Sequence, residues 1–212
     1  MKKIITLLCF IASIQTVFAQ NSNFRRDSLY QILKQTETPA GKVTAWSSIC
    51  EDYSYTGQPD SLRYATEEIL KIATNTHEDS LIAKAYLQIG NYFSNISDFK
   101  QALDYELKSL SLAEKAKSIY DIWLASKEVG VTFKRLNNYN EALRYLKKAE
   151  TILKELKTTR PDNFNRTYTH ISETLLGLGQ PDSALRYIQL ANETTSKDKD
   201  AYGYARVLYI FA

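Results

Sequence analysis

An internal period of about 40 residues constrains this chain more than any other feature. A small residue recurs at Cys50, Gly90, Gly130 and Ser172, spaced 40, 40 and 42 residues apart. A second recurs at Ser61, Ala102, Ala142 and Ala184, spaced 41, 40 and 42. Large apolar residues such as Ile89, Phe93, Leu103 and Leu110 surround these positions at helical spacing. Each unit therefore reads as a helix, a tight turn and a second helix packed antiparallel, with Gly, Ala, Ser or Cys where the backbones approach. A glycine in mid-helix costs about 1 kcal/mol relative to alanine, so Gly90 and Gly130 must be offset by packing. One helix pair cannot bury both of its apolar faces, so successive pairs must stack.

Composition agrees with a helical reading. Among 212 residues there are only 7 glycines and 4 prolines, too few for a turn-rich sandwich or barrel, while 44% hydrophobic and 24% charged residues fit a folded chain. The spacing places helix pairs at about 42–55 with 60–74, 80–95 with 98–116, 119–136 with 139–157, and 162–177 with 182–195. A leading helix is expected near 24–36, followed by Thr38-Pro39-Ala40-Gly41 as a linker. Residues 201–212 read as one more first helix whose partner is missing: Leu208, Phe211 and Ala212 take the places of Tyr168, Ile171 and Ser172.

The second unit carries Tyr86, Ile89-Gly90 and Phe93, then Asp98-Phe99-Lys100-Gln101-Ala102-Leu103-Asp104-Tyr105. The third carries Val129-Gly130 and Phe133, then Asn138-Tyr139-Asn140-Glu141-Ala142-Leu143-Arg144-Tyr145. This pattern resembles the tetratricopeptide repeat. The fourth unit departs from it with Ser172 and Pro181, and the first reads as one residue short in its turn, with Ser61 at the small position. The period also exceeds the common 34 residues by about six. The resemblance implies an all-α, right-handed α-solenoid over residues 42–212, with about four helix pairs, a leading helix and a trailing half-repeat. It also implies a protein- or peptide-binding module whose first helices line a groove. Carried over by position, the groove residues are Lys84, Leu87, Asn91, Ser94 and Asn95 in the second unit, and Leu124, Lys127, Val131, Lys134 and Arg135 in the third. The fourth supplies Arg166, Thr169, Glu173 and Leu176, and the first Thr44, Ser47, Glu51 and Tyr55. Lys127, Val131 and Lys134 share one helical face. Asn91, Lys127, Lys134 and Arg166 would together form a basic groove for a peptide carboxylate or an acidic segment.

Little in the chain suggests chemistry. His77 lies in a polar turn, and His170 with Glu173 is at most half a metal site, with no second histidine or cysteine pair to complete it. There is no phosphate-binding glycine loop, because Gly177-x-Gly179 falls at an inter-helix turn, and no nucleophile elbow. No enzyme activity, cofactor or metal is expected. No basic stripe interleaved with aromatics points to nucleic acid.

Residues 1–19 read as a secretory signal peptide: Lys2-Lys3, an apolar stretch from Ile4 to Ile14, and Val17-Phe18-Ala19 before the cleavage point. Its removal leaves 25 basic against 24 acidic residues and one cysteine, Cys50. No later stretch reads as a membrane span. The expected location is the bacterial periplasm or cell envelope. The leading Asp27-Ser28-Leu29-Tyr30-Gln31-Ile32-Leu33-Lys34, the Pro-Asp-Ser turns and the signal resemble exported repeat regions of Bacteroidetes-type signalling proteins. There, such repeats precede a membrane helix and a histidine kinase or helix-turn-helix regulator. A sensory region of a longer signalling chain is thus the leading expectation. A stand-alone periplasmic assembly adaptor, self-associating through its apolar C-terminal edge, and an outer-membrane nutrient-binding protein are the alternatives.

Overall fold

The computed structural model describes residues 25–156 and 161–194, and every regular element among them is a helix. Helix α1 covers residues 25–35. It is followed by α2 (Pro39–Thr56), α3 (Pro59–Thr74), α4 (Asp79–Asn95), α5 (Phe99–Lys115), α6 (Ile119–Arg135), α7 (Tyr139–Glu155), α8 (Pro161–Gly177) and α9 (Pro181–Thr194). The expected signal peptide and trailing half-repeat lie outside the described residues. The chain divides into two compact units at the Glu78–Asp79 bond.

In the first unit α2 pairs with α3. Helix α1 is tied to α2 by Arg26, whose Nε donates to Asp52 at 2.8 Å, and by Tyr30, whose hydroxyl lies 2.9 Å from that of Tyr53. Thr38-Pro39-Ala40-Gly41 is not a linker. Thr38 caps α2 by accepting from the Gly41 N–H at 3.2 Å, and Pro39 opens the first turn, where a missing N–H costs nothing. Cys50 is fully buried in this unit, and burial pushes its thiol up to about 12.

The second unit contains three pairs, α4–α5, α6–α7 and α8–α9, stacked through α5 against α6 and α7 against α8. The pairs are antiparallel: Ser109 at the far end of α5 donates to the Ala83 carbonyl at 2.8 Å, while Gly90 meets Ala102 near the turn.

One turn geometry serves all four pairs. A residue in the left-handed region ends each first helix: Gly57, Ser97, Asn137 and Gly179, with φ of 67°, 65°, 59° and 70°. The next N–H then returns to a carbonyl five residues back: Gln58 to Tyr53, Asp98 to Phe93, Asn138 to Phe133 and Gln180 to Leu175. Counting from this shared turn corrects one sequence assignment. The residue equivalent to Ala102, Ala142 and Ala184 is Leu62, 2% exposed, and not Ser61; the first turn is not short. In every pair this position follows the first small residue by twelve.

The crossings explain the small residues. A Cβ on Gly90 would lie 3.2 Å from the Ala102 carbonyl oxygen, and one on Gly130 would lie 3.1 Å from that of Ala142. In the fourth pair Ser172 occupies the place of glycine, and its hydroxyl donates to the Ala184 carbonyl at 2.9 Å. The side chain that would crowd the crossing is accommodated by a hydrogen bond instead.

Candidate functional site

Helices α4, α6 and α8 are the first helices of the three pairs in the second unit, and neighbours among them touch directly. Most residues that the repeat pattern assigns to a groove lie on these helices. They fall into two groups.

The first group faces the adjoining repeat. Leu87 is 4% exposed and packs with Ala125, Ile122 and Leu124 of α6. Val131 is 7% exposed and packs with Tyr168 and Ile171 of α8. Lys127 is 5% exposed, with Nζ 2.5 Å from Glu128 Oε1 and 5.8 Å from the centre of the Trp123 ring. Lys134 pairs with Glu173 of α8, and its Nζ lies 3.3 Å from His170 Nδ1. Lys127, Val131 and Lys134 do share a face, as their spacing requires, and the partners of Val131 and Lys134 place that face against α8. The groove role expected for Leu87 and Val131 does not carry over, because in a stacked array these positions fill the seam between repeats.

The second group is accessible. Lys84, Asn95 and Arg166 are exposed, Asn91 is half-buried, and Lys84 and Arg166 make no ion pair among the described residues. Arg135 is exposed overall, yet its Nη1 donates to the Ser94 carbonyl at 3.3 Å and its guanidinium lies 5.6 Å from the Phe99 ring centre. In the first unit, Glu51 pairs with Arg25 at 3.8 Å and Tyr55 is exposed. The structural positions Gly90, Ala102, Gly130, Ala142 and Ala184 are all buried.

A mixed-charge row thus crosses α6 and α8: Lys127 with Glu128, then Lys134 with Glu173 and His170. Burial would push the Glu128 carboxyl up, but adjacent Lys127, with smaller contributions from His170 and Arg135, outweighs it and holds the group below the usual carboxylate range. His170 Nδ1 lies 3.4 Å from Glu173 Oε2, but the ammonium of Lys134 beside both opposes a metal ion. No cluster of three metal-ligating residues occurs among the described residues. None of the described helices is long and apolar enough to cross a membrane.

Sequence reasoning missed Glu106 on α5. It is 1% exposed, and its Oε1 accepts from the Thr132 hydroxyl of α6 at 2.9 Å. Burial pushes its carboxyl up to about 8; Glu128 adds to the rise, while the Thr132 hydrogen bond, Arg135 and Lys127 oppose it. The signal was present in the repeat. Sixteen residues after each first small residue stand Thr66, Glu106, Leu146 and Ile188, so a carboxyl interrupts a column that is apolar in the next two units. A further feature is an apolar cavity of about 270 Å³ at the α8–α9 edge, lined by Leu176, Pro181, Leu185 and Ile188 among others.

No family model matches the chain, and no curated protein matches its sequence. Solved structures do match. A Rap protein complexed with Competence and Sporulation Factor is 17% identical, with a TM-score of 0.74 over 93% of this chain and 56% of that one. BtubC (BKLC) from P. vanneervenii is 16% identical, with a TM-score of 0.66 over 86% of this chain and 74% of that one. The TPR-like repeats of a putative kinesin light chain from P. anserina are 11% identical, with a TM-score of 0.62 over 88% of this chain and 94% of that one. The chain therefore spans little more than half of the Rap protein. At these identities the likeness shows the fold alone: this is an all-helical repeat protein of tetratricopeptide-repeat type.

Proposed function

We propose that the chain is a non-catalytic scaffold that binds a protein or peptide along the α4–α6–α8 face. The observation that carries this reading is the division of basic side chains on that face. Lys127 is buried and paired with Glu128 of its own helix, and Lys134 is paired with Glu173 across the α6–α8 seam, whereas Lys84 and Arg166 stand exposed and unpaired among the described residues. A charge without a partner in its own fold adds little stability and is available to a ligand. Asn91 and Asn95 stand on α4, the helix that carries Lys84, and their amides suit a peptide backbone. The ligand class is an acidic segment or a peptide carboxylate.

The test is fluorescence anisotropy with a labelled Glu-rich peptide. Reversing both free cations (K84E with R166E) should weaken binding at least tenfold while helicity by circular dichroism is unchanged. The swap K134E with E173K keeps the seam pair and should leave affinity within about twofold. Unaltered affinity in K84E/R166E would sink the reading.

Export to the bacterial envelope is part of the proposal, and it rests on the pattern of residues 1–19. Fusing those residues to a reporter active only outside the cytoplasm tests it. The sensory part of a longer signalling protein remains the reading that the resemblance of the leading segment and turns favours.

A further inference from the structure

Glu106 occupies a place that Leu146 and Ile188 fill with apolar side chains in the following repeats and that Thr66 takes in the first pair, so no other repeat puts a carboxyl there. It sits where three helices meet. Its own helix is α5. From α4, Gly90 approaches so closely that an added Cβ would lie 2.7 Å from Glu106 Cγ. From α6, Thr132 holds Oε1, while Oε2 is buried and accepts no hydrogen bond among the described residues. An ionised carboxylate in such a place keeps one oxygen without solvent or donor, and the neutral acid is the form that packing tolerates.

Charged groups stand on each of the three helices. On α6, Glu128 repels the carboxylate, while Arg135 and Lys127 attract it. Lys127 and Arg135 are engaged elsewhere, with Glu128 and with the Ser94 carbonyl. On α5, Asp104 and Lys108 pair with each other at 2.6 Å. On α4, Asp79 pairs with Lys115 at 2.9 Å, and Lys84 is exposed.

We propose that Glu106 makes the joint between α4–α5 and α6–α7 proton-controlled: the neutral acid lets the two pairs stack, and loss of its proton places an uncompensated negative charge in the seam and loosens it. Between α6–α7 and α8–α9 the equivalent place holds Leu146.

The experiment is urea unfolding of the full chain from about pH 5 to about pH 9, for wild type, E106Q and E106L, with hydrogen exchange read at both ends. The folding equilibrium constant of the wild type relative to E106Q should fall with rising pH, by up to about tenfold per unit between the unfolded-state value and about 8. Exchange protection, corrected for its intrinsic pH dependence, should drop in α5 and α6 before α9. E106L installs the residue type of the next repeat, so it should fold and show neither effect. The wild type should also show an infrared carbonyl stretch of a protonated carboxylic acid near neutral pH that is absent from E106L. Parallel stability curves for wild type and E106Q, loss of protection shared equally by α9, or a missing infrared band would each overturn the proposal.

Discussion

The second and third helix pairs share a backbone plan and differ in what they bury. Both cross at a glycine against an alanine carbonyl, Gly90 with Ala102 and Gly130 with Ala142, at nearly the same closeness. Both turns use a non-glycine residue in the left-handed region, Ser97 or Asn137. Behind the crossing one pair buries Glu106 and the other Leu146, each against its own glycine. The repeat thus specifies how closely helices approach, while a single variable position sets which solution conditions the joint responds to.

Exchanging those two side chains should have the largest effects. Leu146→Glu removes an apolar filler and buries a carboxyl in the third pair, and should cost about 4 kcal/mol at pH 7, read by urea denaturation. Glu106→Leu should stabilise by about 3 kcal/mol at pH 7, with the gain shrinking toward pH 5. The sign follows from linkage. The folded value, about 8, lies above the unfolded one, so the folded chain holds its proton longer, and stability is lost as pH rises across that window. If the two swaps cancel in the double variant, the positions are equivalent in packing and differ only in charge.

Gly130→Ala and Gly90→Ala probe the shared backbone plan. The new Cβ would lie 2.7 Å from Leu146 Cγ in one and 2.7 Å from Glu106 Cγ in the other. Each should lose about 2 kcal/mol despite the better helix propensity of alanine, as measured by thermal unfolding. Thr132→Val sharpens the comparison further. It removes the hydrogen bond that opposes the rise at Glu106, so the pH-dependent loss should extend to higher pH and stability at pH 7 should fall by about 1 kcal/mol. The smallest effect concerns the turns. Ser97→Gly should gain about 0.5 kcal/mol, and Asn137→Gly less, because asparagine tolerates the left-handed conformation.

The fold was largely legible because periodic packing leaves periodic residues. The glycines and alanines of the crossings located the helix pairs to within a few residues. The first unit misled at two points for local reasons. Pro39 sits where a helix begins rather than where a linker runs, and Leu62 fills a place that alanine takes elsewhere, next to the polar Ser61 that resembled it in size. The candidate site was less legible. Helical spacing shows that Lys127, Val131 and Lys134 share a face but does not say which neighbour that face meets, and α8 covers it. Nor does spacing distinguish a paired lysine from an available one: Glu173, which neutralises Lys134, is 39 residues away. Glu106 was visible only as an exception within a column, and the column becomes clear once the shared turn fixes the register.

The buried thiol of Cys50 gives the first unit an internal clock. Among the described residues it is the only cysteine, and it is both shielded and held protonated by the packing of its unit. A small alkylating reagent then reacts at the pace at which α2 and α3 part, with no engineered label. Comparing that pace with exchange in α5 and α6 would show whether the two units breathe together or apart.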